Sequence, residues 1–314
     1  MSRALTFPGQ GSQAVGMGQS LSEAFSVARE LFQEVDDALG QPLSRLMWQG
    51  PEADLMLTEN AQPALMAVSL AIMRVLEVEG KLEWGRHVSL AAGHSLGEYS
   101  ALAAAGTFSV PDAARLLKAR GRAMQRAVPV GQGAMAALLG AEIDQAEEVS
   151  REATQGAEAC VVANDNAPGQ VVISGSKAAL ERAAEIAKAK GIKRTMMLPV
   201  SAPFHSPLMA PAAREMEAEL EKVTMRPPRV PIISNVSVSP ENDPVRIRRL
   251  LVEQVTGRVR WRETIAGLRA RGISSVVEVG AGKVLTTMAK RIDKDLPGLS
   301  IETPQEIEAF LKTL

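Results

Sequence analysis

Short apolar runs at residues 4–7, 88–92, 230–233 and 275–279 are separated by longer stretches in which apolar residues recur every three or four positions. The short runs are strand-sized and the longer period is that of amphipathic helices, so the alternation predicts a mainly parallel sheet with helices packed on it. The helical stretches cover residues 22–39, 63–80, 96–105, 111–128, 207–223, 245–255 and 284–292. Pro111 and Pro207 open two of them, where a proline in the first turn is tolerated.

The middle of the chain follows another rhythm. From Gly133 it reads strand 134–139, helix 143–154, strand 159–163, a polar turn through 164–169, strand 171–174, helix 177–190 and strand 192–198. This β-α-β-β-α-β order is that of a ferredoxin-like unit. The expected organisation is a large α/β domain formed by 1–130 and 200–314, with residues 131–199 inserted as a small subdomain. A cleft between the two is the natural place for a ligand. No repeat, heptad or low-complexity segment interrupts this pattern.

Composition narrows the choices. Hydrophobic residues make up 46% of the chain and aromatics only 3%, so the core must be filled by aliphatic side chains and methionine. The formal net charge of -1 argues against a globally basic, nucleic-acid-binding protein. A single cysteine, Cys160, forms no internal disulfide and lies in an apolar run, as a core residue does. The chain starts on a strand-like segment without a charged-then-apolar leader, and no apolar run reaches the ~18 residues of a membrane span. A cytoplasmic protein that is not a membrane protein is the expectation.

The candidate chemistry begins at Gly93-His94-Ser95-Leu96-Gly97, between an apolar run and a helical stretch. A serine at such a strand-to-helix turn resembles a nucleophile elbow, which makes the large domain α/β-hydrolase-like and places Ser95 as a candidate nucleophile. Its hydroxyl needs a base, and the chain has three histidines. His87 falls at the far end of the preceding strand, and His94 adjoins the serine on a turn that sends neighbouring side chains apart. His205 stands in the proline-bracketed loop 199–207 and is favoured as the base, a solvated loop histidine being the alternative.

Several segments then agree with one family. Phe7-Pro8-Gly9-Gln10-Gly11-Ser12-Gln13, Gly93-His94-Ser95-Leu96-Gly97-Glu98-Tyr99-Ser100, Arg120-Gly121-Arg122-Ala123-Met124-Gln125, the 164–169 segment and Phe204-His205-Ser206-Pro207-Leu208-Met209 resemble the malonyl-CoA:acyl carrier protein transacylases in order and spacing. The resemblance implies that Ser95 takes malonyl from malonyl-CoA and passes it to the phosphopantetheine thiol of acyl carrier protein, with His205 moving the proton. It also implies an oxyanion site at the backbone amides of Gln10 and Leu96, a carboxylate grip at Arg120, a ring at Phe204 that crowds branched acyl groups, and a Gln254 carbonyl that orients His205.

We expect a monomer working without cofactor or metal. Taken alone, Arg120 beside Lys118 and Arg122 reads as a solvated helix face. The alternative activities are malonyl transfer for malonate decarboxylase or polyketide synthesis, or a serine hydrolase or thioesterase. An acidic carrier would dock on basic residues, the candidates being Arg246, Arg248, Arg249, Arg258, Arg260 and Arg262, or Lys188, Lys190, Lys193 and Arg194. Two segments depart from the family pattern, Gly280-Ala281-Gly282-Lys283 and Val255-Thr256-Gly257-Arg258, and neither is expected to touch a reacting atom.

Overall fold

The structure is a computed structural model and describes residues 2–200 and 202–314, which leaves Ser201 of the 199–207 loop outside. Its strands are β1 (Arg3–Phe7), β2 (Leu90–Gly93), β3 (Gly133–Leu139), β4 (Cys160–Ala167), β5 (Gln170–Ser176), β6 (Arg194–Met197), β7 (Ile232–Ile233), β8 (Pro240–Glu241), β9 (Ser275–Val279) and β10 (Gly298–Ile301). They form two sheets.

The larger sheet has the order β10-β9-β1-β2-β7-β8 and is parallel from β10 to β7, with β8 antiparallel at the edge. β1 and β2 pair from Ala4 with Leu90 to Phe7 with Gly93, so they end level. The loops that follow them therefore share the carboxyl edge of the sheet, where open α/β sheets bind ligands.

The smaller sheet is antiparallel with the order β4-β5-β3-β6, the arrangement of a ferredoxin-like unit. β3 is apolar on both faces. Ala134, Ala136 and Leu138 pack with Val149 and Ala183 of the two helices Ile143–Ala153 and Lys177–Ala189, while Met135 and Ala137 join the core of the large sheet. A strand covered on both sides reads as an unbroken apolar run, which is why 134–139 shows no alternation. Cys160 lies in the small core.

Helix Thr58–Val78 is long and apolar enough to cross a membrane by length and composition, but 83% of its most apolar window is buried inside the protein. It packs between helices Ser26–Leu39 and Val110–Arg126. The sequence places its start at Pro63, whereas it begins at Thr58, because the Leu57 carbonyl accepts from the amides of Asn60 and Ala61. Pro63 thus removes one bond from the second turn instead of opening the first.

Other differences have local causes. The expected helix 22–39 is two helices, Gln19–Ala24 and Ser26–Leu39, separated by Phe25 in extended conformation. Of the 164–169 segment only Pro168 and Gly169 form the turn, which joins β4 to β5. β4 continues through Ala167 with bulges and draws on long-range partners: the Asp165 backbone pairs with Val259, one oxygen of its carboxylate with Arg262, and the Asn166 side chain with His94. Asn and Asp read as turn formers because they bond their own backbone, and here long-range partners override that preference. β10 and the helices Leu43–Gln49, Glu52–Met56, Trp261–Ala266 and Pro304–Leu311 were not distinguished by apolar periodicity.

The loop 280–283 lies against the one following β1, with Gly280 close to Pro8 and Gly282 close to Ser12. It is anchored by Glu278 of β9, fully buried, whose two oxygens accept the amides of Leu285 and Thr286 at 3.0 and 2.7 Å. These are first-turn amides of helix Val284–Ile292, groups that no intrahelical carbonyl can reach. Glu278→Ala should therefore cost about 2–4 kcal/mol by leaving both amides buried and unpaired. Denaturant unfolding checks this, and a loss under about 0.5 kcal/mol, the size of an ordinary surface substitution, would contradict it.

Candidate active site

β2 ends at Gly93 and helix Leu96–Ala104 begins three residues on, so His94 and Ser95 make the whole turn. A Cβ on Gly93 would stand 1.9 Å from the Gly97 carbonyl, and one on Gly97 would stand 2.2 Å from the Phe7 oxygen. Both positions require glycine because backbone passes so close to them. The strain falls on Ser95, with φ 53° and ψ -111°, a conformation costing roughly 1–3 kcal/mol.

Two side chains remote in sequence hold it there. The Ser95 amide donates to Asn235 Oδ1 at 2.7 Å, and Asn235 Nδ2 donates to the Gly93 carbonyl at 2.7 Å. Gln254 Nε2 donates to the Ser95 carbonyl at 3.0 Å.

Ser95 Oγ lies 2.8 Å from His205 Nε2 and accepts from Arg120 Nη2 at 3.1 Å. His205 Nδ1 faces the carbonyls of Gln254 at 2.8 Å and Gly257 at 3.1 Å. Carbonyls only accept, so Nδ1 carries the proton and Nε2 offers its lone pair to the serine hydroxyl. Burial, and next the nearby Arg120 charge, push the His205 pKa down to about 3, which keeps the ring neutral at ordinary pH. The Gly257 contact corrects one expectation, since the 255–258 departure does reach the histidine, although through a backbone carbonyl that any residue supplies.

Arg120 is 1% exposed, and helix Val110–Arg126 aims it into the site. Its Nη1 donates to Gln62 Oε1 at 2.8 Å and its Nη2 also to Gln254 Oε1 at 2.9 Å, while its plane lies near the Tyr99 ring. Among the described residues its hydrogen-bond partners are all neutral, and Nε has none. A guanidinium buried among neutral acceptors is a strong site for a planar anion, not the solvated face that the residue alone suggests. The other end of the Gln254 carboxamide donates to Glu98 Oε2 at 2.7 Å, which also accepts the Asn235 amide at 3.1 Å.

A cavity of about 280 Å³ joins these groups, with Gln10, Leu96 and Phe204 on its wall and Met135, Asn164, Asn166 and Val172 of the small sheet facing them. The backbone amides of Gln10 and Leu96 take no acceptor among the described residues. All seven residues singled out from the sequence, Ser95, His205, Gln10, Leu96, Arg120, Phe204 and Gln254, therefore meet at one cavity or immediately behind it. Of the other two histidines, His94 also lines the cavity but is engaged elsewhere, and His87 lies away from it. His94 Nε2 is paired with Asn166 Oδ1 at 2.8 Å, and His87 Nδ1 accepts the Glu83 amide on the surface.

Sequence reasoning missed Asn235, Gln62 and the separate work of the Gln254 side chain. The only local signal for Asn235 is a polar pair, Ser234-Asn235, directly after an apolar run at the carboxyl edge of the sheet. The arginine-rich docking candidate is largely neutralised: Arg246, Arg249, Arg258, Arg260 and Arg262 each form an ion pair with an acidic neighbour. Lys190 of the second cluster pairs with Glu148 and Glu152.

The fold and site define the class as acyl transferases, and the family model for "Acyl transferase domain" matches residues 5–301. Malonyl CoA-acyl carrier protein transacylases are similar over nearly the whole chain. That of Bacillus subtilis is 42% identical over 99% of this chain and 96% of its own. That of Escherichia coli K12 is 43% identical over 98% of both. The solved acyl-carrier-protein-S-malonyltransferase of Bartonella henselae is 56% identical and superposes with a TM-score of 0.97 over 100% of this chain and 99% of its own. The chain belongs to the malonyl CoA-acyl carrier protein transacylase family.

The His205 environment gives a direct check. A ring with its pKa far below the usual histidine value should show nitrogen chemical shifts that stay flat between about pH 5 and 8, with the proton on Nδ1. A titration step near pH 6.5 in nitrogen-15 NMR would contradict the environment described.

Proposed function

We propose that this protein transfers a malonyl group from malonyl-CoA to the phosphopantetheine thiol of acyl carrier protein through a malonyl ester on Ser95. The observation that carries the reading is the placement of one hydroxyl, Ser95 Oγ, between a neutral imidazole at 2.8 Å and a buried guanidinium at 3.1 Å.

His205 Nε2 takes the hydroxyl proton as Oγ attacks the thioester carbonyl. The tetrahedral oxyanion is met by the amides of Gln10 and Leu96, and such a donor typically contributes about 100- to 1,000-fold in rate. Collapse breaks the carbon–sulfur bond, and the departing coenzyme A thiolate receives the proton from His205. In the second half the carrier's thiol gives its proton to His205, its sulfur attacks the ester, and Ser95 Oγ leaves and recovers the proton. The Gln254 and Gly257 carbonyls orient the ring, so a dyad suffices without an acidic third member.

Arg120 binds the free malonyl carboxylate. That contact has a second effect, because Arg120 is one of the charges holding His205 in its neutral form. Pairing with a substrate anion offsets that charge and makes the imidazole a stronger base when malonyl is present. Phe204 narrows the space beside the acyl chain. Residues 131–199 act as a small domain that closes one side of the cleft on the domain formed by 1–130 and 200–314. The reaction serves fatty acid synthesis in the cytoplasm. A solved relative, 42% identical with a TM-score of 0.96, is described as a malonyl-transacylase in complex with a type II PKS acyl-carrier protein, so a polyketide carrier is the second reading.

Transfer of labelled malonyl to carrier protein tests the reaction. Holo-carrier should become labelled and apo-carrier, lacking the thiol, should not; steady release of malonate with no labelled carrier would contradict it. Arg120→Ala should lower kcat/KM for malonyl-CoA by roughly 10- to 100-fold, the size of one charge-assisted contact, while sparing acetyl-CoA. Equal losses for both thioesters would remove Arg120 from malonyl selection.

A further inference from the structure

Arg120 is tied to Glu98 by one side chain. The Gln254 carboxamide accepts from Arg120 Nη2 at 2.9 Å through its oxygen and donates to Glu98 Oε2 at 2.7 Å through its nitrogen. The three residues are 1%, 0% and 2% exposed. An amide with its oxygen toward a cation and its NH2 toward an anion has its dipole aligned with both, and low local dielectric strengthens that alignment. Glu98 is thus the counter-charge of Arg120, one amide removed.

The other groups facing Glu98 are Arg120 on helix Val110–Arg126, Tyr99 on its own helix, and the neutral Ser234 hydroxyl and Asn235 amide after β7. His205 feels the charges of Arg120 and His94. No lysine or second arginine bonds to Glu98 among the described residues.

A substrate carboxylate entering this site adds a second anion around one buried cation. It reaches the guanidinium directly, whereas Glu98 reaches it only through Gln254, so the new anion holds Arg120 more strongly and Glu98 is the one neutralised. Resting on the malonyl-transfer reading above, we propose that Glu98 is a specificity-determining positioning residue: its carboxylate balances Arg120 until a substrate carboxylate replaces it, whereupon Glu98 takes up one proton from solvent. The proton returns to solvent when malonyl leaves on the carrier. The Ser234 hydroxyl beside Glu98 can accept the protonated form's hydrogen bond. Neutral acyl groups cause no exchange.

The exchange falls near neutral pH, since burial pushes Glu98 up to about 7 against the pull of Gln254, Asn235 and Arg120. Below that pH the proton is already present. Above it, malonyl binding must recruit one, so affinity for malonyl-CoA falls as pH rises through 7, approaching tenfold per pH unit, while affinity for acetyl-CoA does not.

Calorimetric titration of the Ser95→Ala protein, in buffers of different ionisation enthalpy, reads the proton directly. Malonyl-CoA should take up about half a proton at pH 7 and nearly one at pH 8.5, and acetyl-CoA none. Glu98→Gln on the same background should abolish the uptake. In the otherwise unmodified enzyme, Glu98→Gln should flatten the rise of the malonyl-CoA KM with pH. Equal uptake for both thioesters, none for malonyl-CoA, or uptake that survives Glu98→Gln would overturn the proposal. Should Glu98→Gln fail to fold, the malonyl-to-acetyl comparison decides alone: selective uptake supports the exchange and its absence overturns it. Failure of the transfer reading shows separately, as the unmodified enzyme forming no malonyl carrier.

Discussion

Ser95 is held in a backbone conformation that serine does not choose, and the rest of the site is arranged by what holds it there. With φ near +53° and ψ near -111° its strain is roughly 1–3 kcal/mol, and His205 also takes a positive φ, near +55°. Three hydrogen bonds from Asn235 and Gln254 lock the peptide groups around the serine, each contributing about 1 kcal/mol net, so restraint and strain are of similar size. Ser95 is therefore fixed by groups more than a hundred residues away in sequence, and His205 by carbonyls about fifty residues away. Pre-organisation of this kind removes motions that would otherwise separate the hydroxyl from the imidazole.

Charge is handled as carefully as geometry. The buried site holds a guanidinium whose direct partners are neutral, a histidine kept neutral by burial and by that guanidinium, and a carboxylate reached only through an amide. Gln254 takes part in all of these relations: its carbonyl orients His205, its oxygen receives Arg120, and its nitrogen serves both Ser95 and Glu98. A neutral base and a cation awaiting an anion are the two properties that transfer of a carboxylate-bearing acyl group requires.

The large sheet, the ferredoxin-like order and the Ser95 elbow were legible because each rests on local pattern: short apolar runs, a β-α-β-β-α-β rhythm, and two glycines flanking a serine. β9 and helix Val284–Ile292 match the expected ranges to the residue. What stayed hidden was created by tertiary contact. Residues 164–167 look like a turn in isolation and become strand because Val259 and Arg262 supply partners. Arg120 reads as a surface residue until the fold buries it. Asn235 and the side chain of Gln254 carry no motif of their own, and their work is visible only once β7 and helix Pro244–Thr256 stand beside the elbow.

On the reading proposed, Ser95 Oγ carries the acyl group between two thiols. Peptide mapping by mass spectrometry, after brief exposure to malonyl-CoA and an acid quench, tests it directly. A malonyl group should be found on the peptide containing Ser95, discharged when holo-carrier protein is added and missing when His205 is replaced by alanine at the same exposure. A protein that transfers malonyl at full rate with no adduct on Ser95, or with the adduct on another residue, would contradict it.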